Sequence, residues 1–392
     1  MVEWKKLGEV ASYYRGVTYN KKQEVPFNSG GTKILRANNI TLETNSLNFE
    51  DVKEISSNVI IKDFQWLYPN DILICAGSGS KEHVGKVAYI SSPLKYAYGG
   101  FMGKIIASEG LKPRFLFHIF SSSIFKKYLD VALNSTTINN LNSTLVNDFQ
   151  IPIPSLSEQQ RIVDILDTFT ASIDNIKAQI EQRRKQYEHY RNTLLTFSKD
   201  DDSVEWKTLG EISYKICSGG TPLRENKEFF NGTIPWLRTQ EVDWRDVYDT
   251  EIKITQEAIA KSSAKLIPEN CVIIAMYGAT AGKSCINKIP LTTNQACCNL
   301  QINDSTCLYK YVYHYVCREY NKLKALGEGS QNNISVQKIK SYNIPIPSLA
   351  RQQEIVSTLD TFEASITNLE AQLEQRQKQY EYYREELLTN LS

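Results

Sequence analysis

One stretch of this sequence occurs twice, and the repeat constrains everything around it. Residues 151–196 read IPIPSLSEQQRIVDILDTFTASIDNIKAQIEQRRKQYEHYRNTLLT, and residues 344–389 read IPIPSLARQQEIVSTLDTFEASITNLEAQLEQRQKQYEYYREELLT. About two positions in three are identical at a constant offset, the mark of an internal duplication. Each copy is patterned as one long helix. Ile162, Leu166, Phe169, Ile173, Ile176, Ile180, Tyr187, Tyr190 and Leu194 follow one another in steps of four and three, as do Ile355, Leu359, Phe362, Ile366, Leu369, Leu373, Tyr380, Tyr383 and Leu387. Such spacing held over several heptads predicts a coiled-coil seam. It is interrupted once per copy, at Arg183 and Arg376, where a polar seam residue can fix register or a long stem can snorkel outward. The Ile-Pro-Ile-Pro entry must be extended, because each proline disfavours helical geometry in the residue before it. Ser155 or Ser157 then caps the helix, with Glu158 or Gln160 completing a capping box. The expected arrangement is two helices of about 40 residues packed on each other.

The segments ahead of the helices are related more loosely. Val2-Glu-Trp-Lys-Lys-Leu-Gly-Glu9 returns as Val204-Glu-Trp-Lys-Thr-Leu-Gly-Glu211, and Pro69-Asn-Asp-Ile-Leu-Ile-Cys75 is paralleled by Pro268-Glu-Asn-Cys-Val-Ile-Ile274. The chain therefore reads as globule (1–150), helix and polar linker (151–203), globule (204–343) and helix (344–392). Asp71–Ala76, Cys271–Met276 and Lys104–Ala107 are patterned as strands, while Phe115–Asp130 and Leu308–Leu326 are patterned as helices. Each globule is thus a mixed α/β domain of ordinary size. The helices diverged little and the globules much, as expected if the helices share one job and each globule has its own.

Composition narrows the class. The chain is 41% hydrophobic and 23% charged, ordinary for a folded protein. No run of about 18 apolar residues is present, so no segment is expected to span a membrane. The start, MVEWKKLGEV, lacks a secretory signal's apolar core, and the eight cysteines are expected as reduced structural thiols in the cytoplasm. Residues 1–150 carry 17 Lys+Arg against 13 Asp+Glu and residues 204–343 carry 17 against 14, whereas both helical segments are acidic. Mildly basic globules on acidic helices suit a nucleic-acid surface confined to the globules.

The motifs for chemistry are missing. Gly278-Ala-Thr-Ala-Gly-Lys-Ser284 approaches a phosphate-binding P-loop but has three residues between its glycines instead of four. No run that would form a helix follows the lysine to seat the phosphate. There is no cofactor glycine loop with an Asn/Asp-Pro-Pro-aromatic site for methyl transfer, and no clustered carboxylates for a metal nuclease. The cysteines form no CxxC pair, so no metal ligand set is expected, and no cofactor either. What remains suits binding. Arg36, Asn38, Asn39, Asn139, Asn140, Arg238, Gln240, Gln331 and Asn332 fall in predicted loops. Arg pairs with guanine, and Asn or Gln with adenine, in the major groove; the same residue types also serve simply to satisfy turns. The strand-to-loop segments ending in Gly-Lys add Ser78, Ser80, Lys81, Lys86, Thr280 and Lys283 as candidate phosphate or base contacts.

Two diverged globules, each followed by a near-identical Ile-Pro-Ile-Pro-Ser-Leu…Gln-Gln…Ile-Val…Leu-Asp helix ending in Tyr-x-x-Tyr-Arg-x-x-Leu-Leu, resemble the specificity subunit of type I restriction–modification systems. The resemblance covers the whole chain and implies an α+β fold: two mixed α/β target-recognition domains separated by two long antiparallel coiled-coil helices in a pseudo-two-fold repeat. It further implies that each globule reads one half of a bipartite double-stranded DNA target. The helices would set the spacing and dock two modification (methyltransferase) subunits, joined by restriction and translocation subunits in the full complex. Tyr187, Tyr190, Tyr380 and Tyr383 are the aromatic candidates for that docking. The competing reading is a coiled-coil scaffold whose globules bind protein or glycan ligands, told apart by whether binding weakens steeply with salt.

Overall fold

A computed structural model of the chain describes residues 2–42, 44–134, 140–328 and 333–391. The chain divides into two compact units, one made of Met1–Lys177 with Ala371–Ser392, the other of Ala178–Glu370. Each unit therefore owns a globule, the first part of the long helix that follows it, and the last part of the other long helix.

In chain order the first unit contains β1 (Glu3–Lys6), β2 (Ala11–Arg15), β3 (Glu24–Val25), β4 (Thr32–Leu35), β5 (Lys53–Ile55), β6 (Ile72–Cys75), β7 (Val87–Tyr89), β8 (Ala97–Tyr98), β9 (Met102–Ala107) and β10 (Gln150–Ile153). One sheet is antiparallel throughout, ordered β2-β9-β6-β7; the other is ordered β8-β4-β5-β3, with β8 parallel to β4. Successive side chains of a strand point to opposite faces, and β6 is buried on both. Ile72 and Ile74 join a core with Ile105, Phe115, Leu116 and Ile119, while Leu73 and Cys75 face Leu35, Tyr98 and Met102. That double burial is why the run reads as uninterrupted apolar residues.

The second unit repeats the plan with β11 (Glu205–Thr208), β12 (Ser213–Ser218), β13 (Ile234–Leu237), β14 (Asp246–Val247), β15 (Lys253–Ile254), β16 (Leu266–Ile267), β17 (Val272–Ala275), β18 (Ser284–Asn287), β19 (Leu291–Thr293), β20 (Cys297–Ile302) and β21 (Asn343–Ile346). Its sheets are ordered β12-β20-β17-β18-β14 and β15-β13-β19-β16, with a parallel pair in each, β13 with β19 in the smaller sheet and β14 with β18 at the edge of the larger. β17 divides its residues as β6 does: Val272 and Ile274 face one core, Ile273 and Ala275 the other.

The two repeated tags turn out to be partners. β1 pairs antiparallel with β10, placing Trp4 opposite Pro152, and β11 pairs with β21, placing Trp206 opposite Pro345. A two-stranded ladder has free edges, so prolines that cannot donate are tolerated there. Leu156–Leu194 and Leu349–Thr389 then form single helices of 39 and 41 residues. Ser155 caps the first by accepting from the Glu158 N–H at 3.3 Å. No reciprocal bond completes a capping box, because the Glu158 carboxylate is held by Arg161 and the Gln160 amide by Asp164.

The expected helix at Phe115–Asp130 is broken into Pro113–Phe120 and Ser123–Asn134. The Ser121 and Ser122 hydroxyls donate back to the His118 and Ile119 carbonyls, at 3.1 and 2.7 Å, and so compete with helix propagation. Leu308–Leu326 is likewise two helices, Tyr309–Arg318 and Tyr320–Ala325.

Within each unit the long helices run antiparallel and stack aromatic rings. Phe169 lies on Tyr383 at 5.2 Å between centroids in the first unit, and Phe362 on Tyr190 at 5.1 Å in the second. The two seam arginines are not wasted. Arg376 lies over the Phe169 ring at 5.6 Å and Arg183 over Phe362 at 5.8 Å, cation–π contacts that keep a charged head beside the seam. The fold is α+β, two mixed globules with a pair of long antiparallel helices. Among the described residues no helix is long and apolar enough to cross a membrane.

Candidate nucleic-acid interface

In the first unit several of the candidate binding residues converge on one cleft of about 1120 Å³, lined among others by Arg36, Asn38, Ser78 and Phe101. Arg36 begins the 3₁₀ turn Ala37–Asn39, directly after β4. Its Nη2 donates to the Asp51 carboxylate at 2.7 Å and to the Asp51 carbonyl at 3.2 Å, while Asn38 donates to the same carboxylate at 3.1 Å. These bonds use Nη2 alone. Nε is buried without a hydrogen-bond partner, so the group that the brace holds in a fixed plane for a base or phosphate is Nη1.

The second unit builds the same corner with other residues. Arg238 begins the 3₁₀ turn Thr239–Glu241 directly after β13, and its Nε donates to Glu241 at 3.1 Å while its Nη2 bonds Glu251. Gln240, on that turn, is exposed. The turn packs against Gly278–Thr280, which brings Thr280 to the same corner. Lys283 pairs with Asp243 at 2.6 Å and sits 4.3 Å above the Trp244 ring, whose edge meets Tyr320 at 5.3 Å. Trp244 holds φ at +48°, a conformation rare for a bulky residue and a pointer to function where it persists. Nothing in the sequence marked it.

Five candidate residues need correction or qualification. Lys86 is buried, and its ammonium donates to the Ala37 and Ile40 carbonyls at 2.8 and 2.7 Å; it ties the turn below Arg36 in place and does not reach for a phosphate. Asn39 is also fully buried, its amide accepting from the Arg36 N–H and donating to the Asn48 carbonyl. Ser80 and Lys81 lie away from the cleft, in a groove shared with Phe125 and Leu129, where the Ser80 hydroxyl donates to Glu82. Asn140 bridges Gly77 and accepts from Arg15 at 3.2 Å. Asn139, Gln331 and Asn332 fall outside the described residues. The P-loop-like segment turns backbone amides inward. The Gly282 and Lys283 amides are spent on the Ala275 and Thr280 carbonyls, at 2.8 Å each.

The helix tyrosines divide into two pairs. Tyr190 and Tyr383 are 44% and 43% exposed even while stacked on the facing phenylalanines. Tyr187 instead turns inward, donating to Glu363 at 2.8 Å beside His314, and Tyr380 packs against the first core. Burial pushes the Tyr187 hydroxyl up and raises the Glu363 carboxyl as well.

Polar clamps that sequence reasoning missed bolt each globule to its helix. The Gln159 amide is fully buried. It accepts from the Lys112 N–H at 2.8 Å and donates to the Gly110 and Pro154 carbonyls, both at 3.0 Å. Gln352 does the same to Leu308, Thr306 and Pro347. About two turns further on, Asp167 bonds His118 at 2.9 Å and Arg114 at 2.8 Å, as Asp360 bonds His314 at 3.1 Å and Lys310. His314, Asp360 and Glu363 place their ligand atoms within 4.8 Å of one another. That donor set is engaged already, Asp360 by Lys310 and Glu363 by Tyr187, and reads as a clamp. The eight cysteines are unpaired and mostly buried, and burial pushes thiols such as Cys271 up to about 12. Such thiols are poor nucleophiles and poor metal ligands.

Known proteins share this plan. Residues 1–183 and 202–378 match the family described as type I restriction modification DNA specificity domain. The chain is 41% identical over 258 residues to the specificity subunit of the Escherichia coli type I restriction enzyme EcoR124I/EcoR124II, covering 61% of this chain and 63% of that one. It is 26% identical over 391 residues to the StySPI specificity subunit of Salmonella potsdam, covering 94% and 83%. The chain thus spans a little under two thirds of the first relative's length and most of the second's. A crystal structure of a type I restriction–modification S subunit from M. genitalium superposes with a TM-score of 0.62 at 14% identity, covering 100% of this chain and 97% of that one. At that identity the likeness speaks for the fold.

Proposed function

The chain belongs to the type I restriction–modification DNA specificity family, and from that premise we propose that it selects the DNA sequence on which such a complex acts while doing no chemistry itself. Residues 1–150 and 204–343 are the two recognition domains, each reading one half of a bipartite double-stranded target. The segments 151–203 and 344–392 set the gap between the halves and dock two modification subunits, to which restriction and translocation subunits add in the full complex. The work is cytoplasmic, where the DNA is.

The observation that carries this reading is the braced arginine at the same corner of both globules, Arg36 on Asp51 and Arg238 on Glu241 and Glu251. One scaffold presents a guanidinium twice, and the side chains around it differ. Two unlike half-sites follow from that arrangement. Tyr190 and Tyr383 are the exposed aromatic surface for the modification subunits, since Tyr187 and Tyr380 are turned towards the globules.

Methylome sequencing of a cell expressing the chain with its modification subunit tests the reading. Methylation confined to one two-part motif, and absent without the chain, is expected; methylation at the same positions without the chain refutes it. The purified chain incubated with labelled S-adenosylmethionine and DNA should incorporate nothing, and incorporation would show a catalytic site of its own.

A further inference from the structure

Two loops at equivalent places in the globules share one backbone and carry different side chains. Gly99-Gly100-Phe101 joins β8 to β9, and Asn294-Gln295-Ala296 joins β19 to β20. Strand register aligns them. Tyr98 lies beside Leu35 as Thr293 lies beside Leu237, and Met102 pairs with Cys75 as Cys297 pairs with Ala275.

Three main-chain hydrogen bonds repeat between them, although the Phe101 carbonyl accepts from Gly77 as well. Gly99 and Asn294 each donate to the end of the neighbouring parallel strand, at the Leu35 and Leu237 carbonyls, both at 2.9 Å. The Phe101 carbonyl accepts from Ala76 at 2.9 Å, and the Ala296 carbonyl from Met276 at 2.8 Å. Each loop closes on itself, Met102 to Gly99 at 2.8 Å and Cys297 to Asn294 at 3.2 Å. A glycine passes beneath in both globules: a Cβ on Gly16 would lie 2.2 Å from the Gly99 carbonyl oxygen, and one on Gly219 would lie 2.0 Å from that of Thr293. Backbone so tightly held has no slack, so whatever side chain it carries is presented at a fixed place.

What is presented differs in kind. Phe101 is 74% exposed at the cleft that holds Arg36 and Asn38. A singly exposed ring is ordinary on a protein surface, but this one contributes little to the globule's own core and stands at the same cleft as Arg36 and Asn38. Its counterpart Ala296 is buried, and the loop instead exposes the Gln295 amide, which bonds the Thr221 hydroxyl. In the major groove an apolar ring matches the thymine methyl and a Gln amide matches adenine.

Resting on the reading of the chain as a DNA specificity subunit, we propose that these two loops are its specificity-determining elements, Phe101 reading one half-site through a thymine methyl and Gln295 reading the other through a base edge. Sequence alone does not show this equivalence, because Gly-Gly-Phe and Asn-Gln-Ala share no residue.

The full chain assembled with its modification subunits, challenged with duplexes randomised across both half-sites, provides the test. Phe101→Ala should lower the preference by about tenfold or more at one or two adjacent positions of one half-site and leave the other half-site unchanged. Gln295→Ala should do the reverse. Neither should alter the slope of affinity against salt, since neither side chain neutralises a phosphate. Phe27→Ala, at a 56% exposed ring away from the cleft, should change no preference. Replacing the thymine at the Phe101-dependent position with uracil should weaken the wild-type complex and leave Phe101→Ala indifferent. A wild-type complex with no sequence preference would overturn the reading of the chain itself. A wild-type preference that survives both loop variants overturns this proposal alone, and an indifferent wild type in the uracil arm overturns the thymine assignment.

Discussion

Gln159 and Gln160 are neighbours in sequence and opposites in the fold, which makes them a controlled experiment. Gln159→Ala removes a buried amide that accepts once and donates twice, leaving the Lys112 N–H and the Gly110 and Pro154 carbonyls without those bonds. A buried polar group left unsatisfied costs about 1–3 kcal/mol, and water entering the small gap recovers some of three such penalties, so the expected loss is roughly 2–4 kcal/mol. For a unit of some 200 residues that corresponds to a melting point lower by roughly 5–15 °C. Gln160→Ala removes one exposed bond to Asp164 and should cost no more than about 0.5 kcal/mol. Scanning calorimetry of the full chain reads the size, and hydrogen exchange reads the place. Protection should fall along Pro113–Phe120 and not along Tyr309–Arg318. If Gln159→Ala melts within about 1 °C of wild type, or no lower than Gln160→Ala, the amide is not the bolt it is taken for.

Leu388→Ala should cost about 2–5 kcal/mol, and exchange should locate the damage in the first globule, because Leu388 is fully buried in that core; Leu195→Ala should do the same to the second globule. Loss of protection spread equally over both would contradict the division into units. Tyr190→Asp with Tyr383→Asp should weaken capture of the modification subunits while leaving circular dichroism unchanged; a folded variant with undiminished capture refutes the docking role. Burial, only partly offset by the Asp167 hydrogen bond and reinforced by Arg114 and Arg384, holds the His118 imidazole below its ordinary value near 6.5. The unfolded chain therefore takes up a proton there before the folded one does, so stability should fall as pH drops below about 6.5. His118→Gln should lose less between pH 7.5 and 5.5 in urea melts of the first unit, and an equal loss would assign the dependence elsewhere.

The helices were legible because their burial follows a single period over many turns, and periodicity is the property a sequence displays most openly. The extended Ile-Pro-Ile-Pro entry was legible for a local reason, the geometry before proline. Its partner was not, since nothing local says that Trp4 will face Pro152 across a ladder. The site fared less evenly. Arg36, Asn38 and Lys86 all line the cleft, but Lys86 is buried there with its ammonium turned to backbone carbonyls, and Asn39, chosen by the same reasoning, is buried in the globule. A polar residue beside a glycine looks alike whether it faces solvent or satisfies a buried carbonyl, and only three-dimensional packing separates the two. Trp244 was missed because positive φ in a bulky residue leaves no compositional trace. The matching loops at Phe101 and Gln295 were missed because what they share is hydrogen bonding between main-chain atoms.

The first unit is completed by residues 371–392, made long after the rest of it, and this has a consequence during synthesis. By the time Lys177 is made, everything in that unit is present except the segment from Ala371 onward, which supplies Leu388 to the core and Tyr383 to the ring of Phe169. At about 5–20 residues per second the ribosome needs on the order of 10–40 s to deliver it. Throughout that interval the face of the first helix around Phe169 and Ile173 stays uncovered, an apolar surface seeking a partner. The second unit has no such wait, because its borrowed segment, Ala178 to Leu195, precedes its own globule. Termination just before Ala371 should therefore injure the globule made first and spare the one made second.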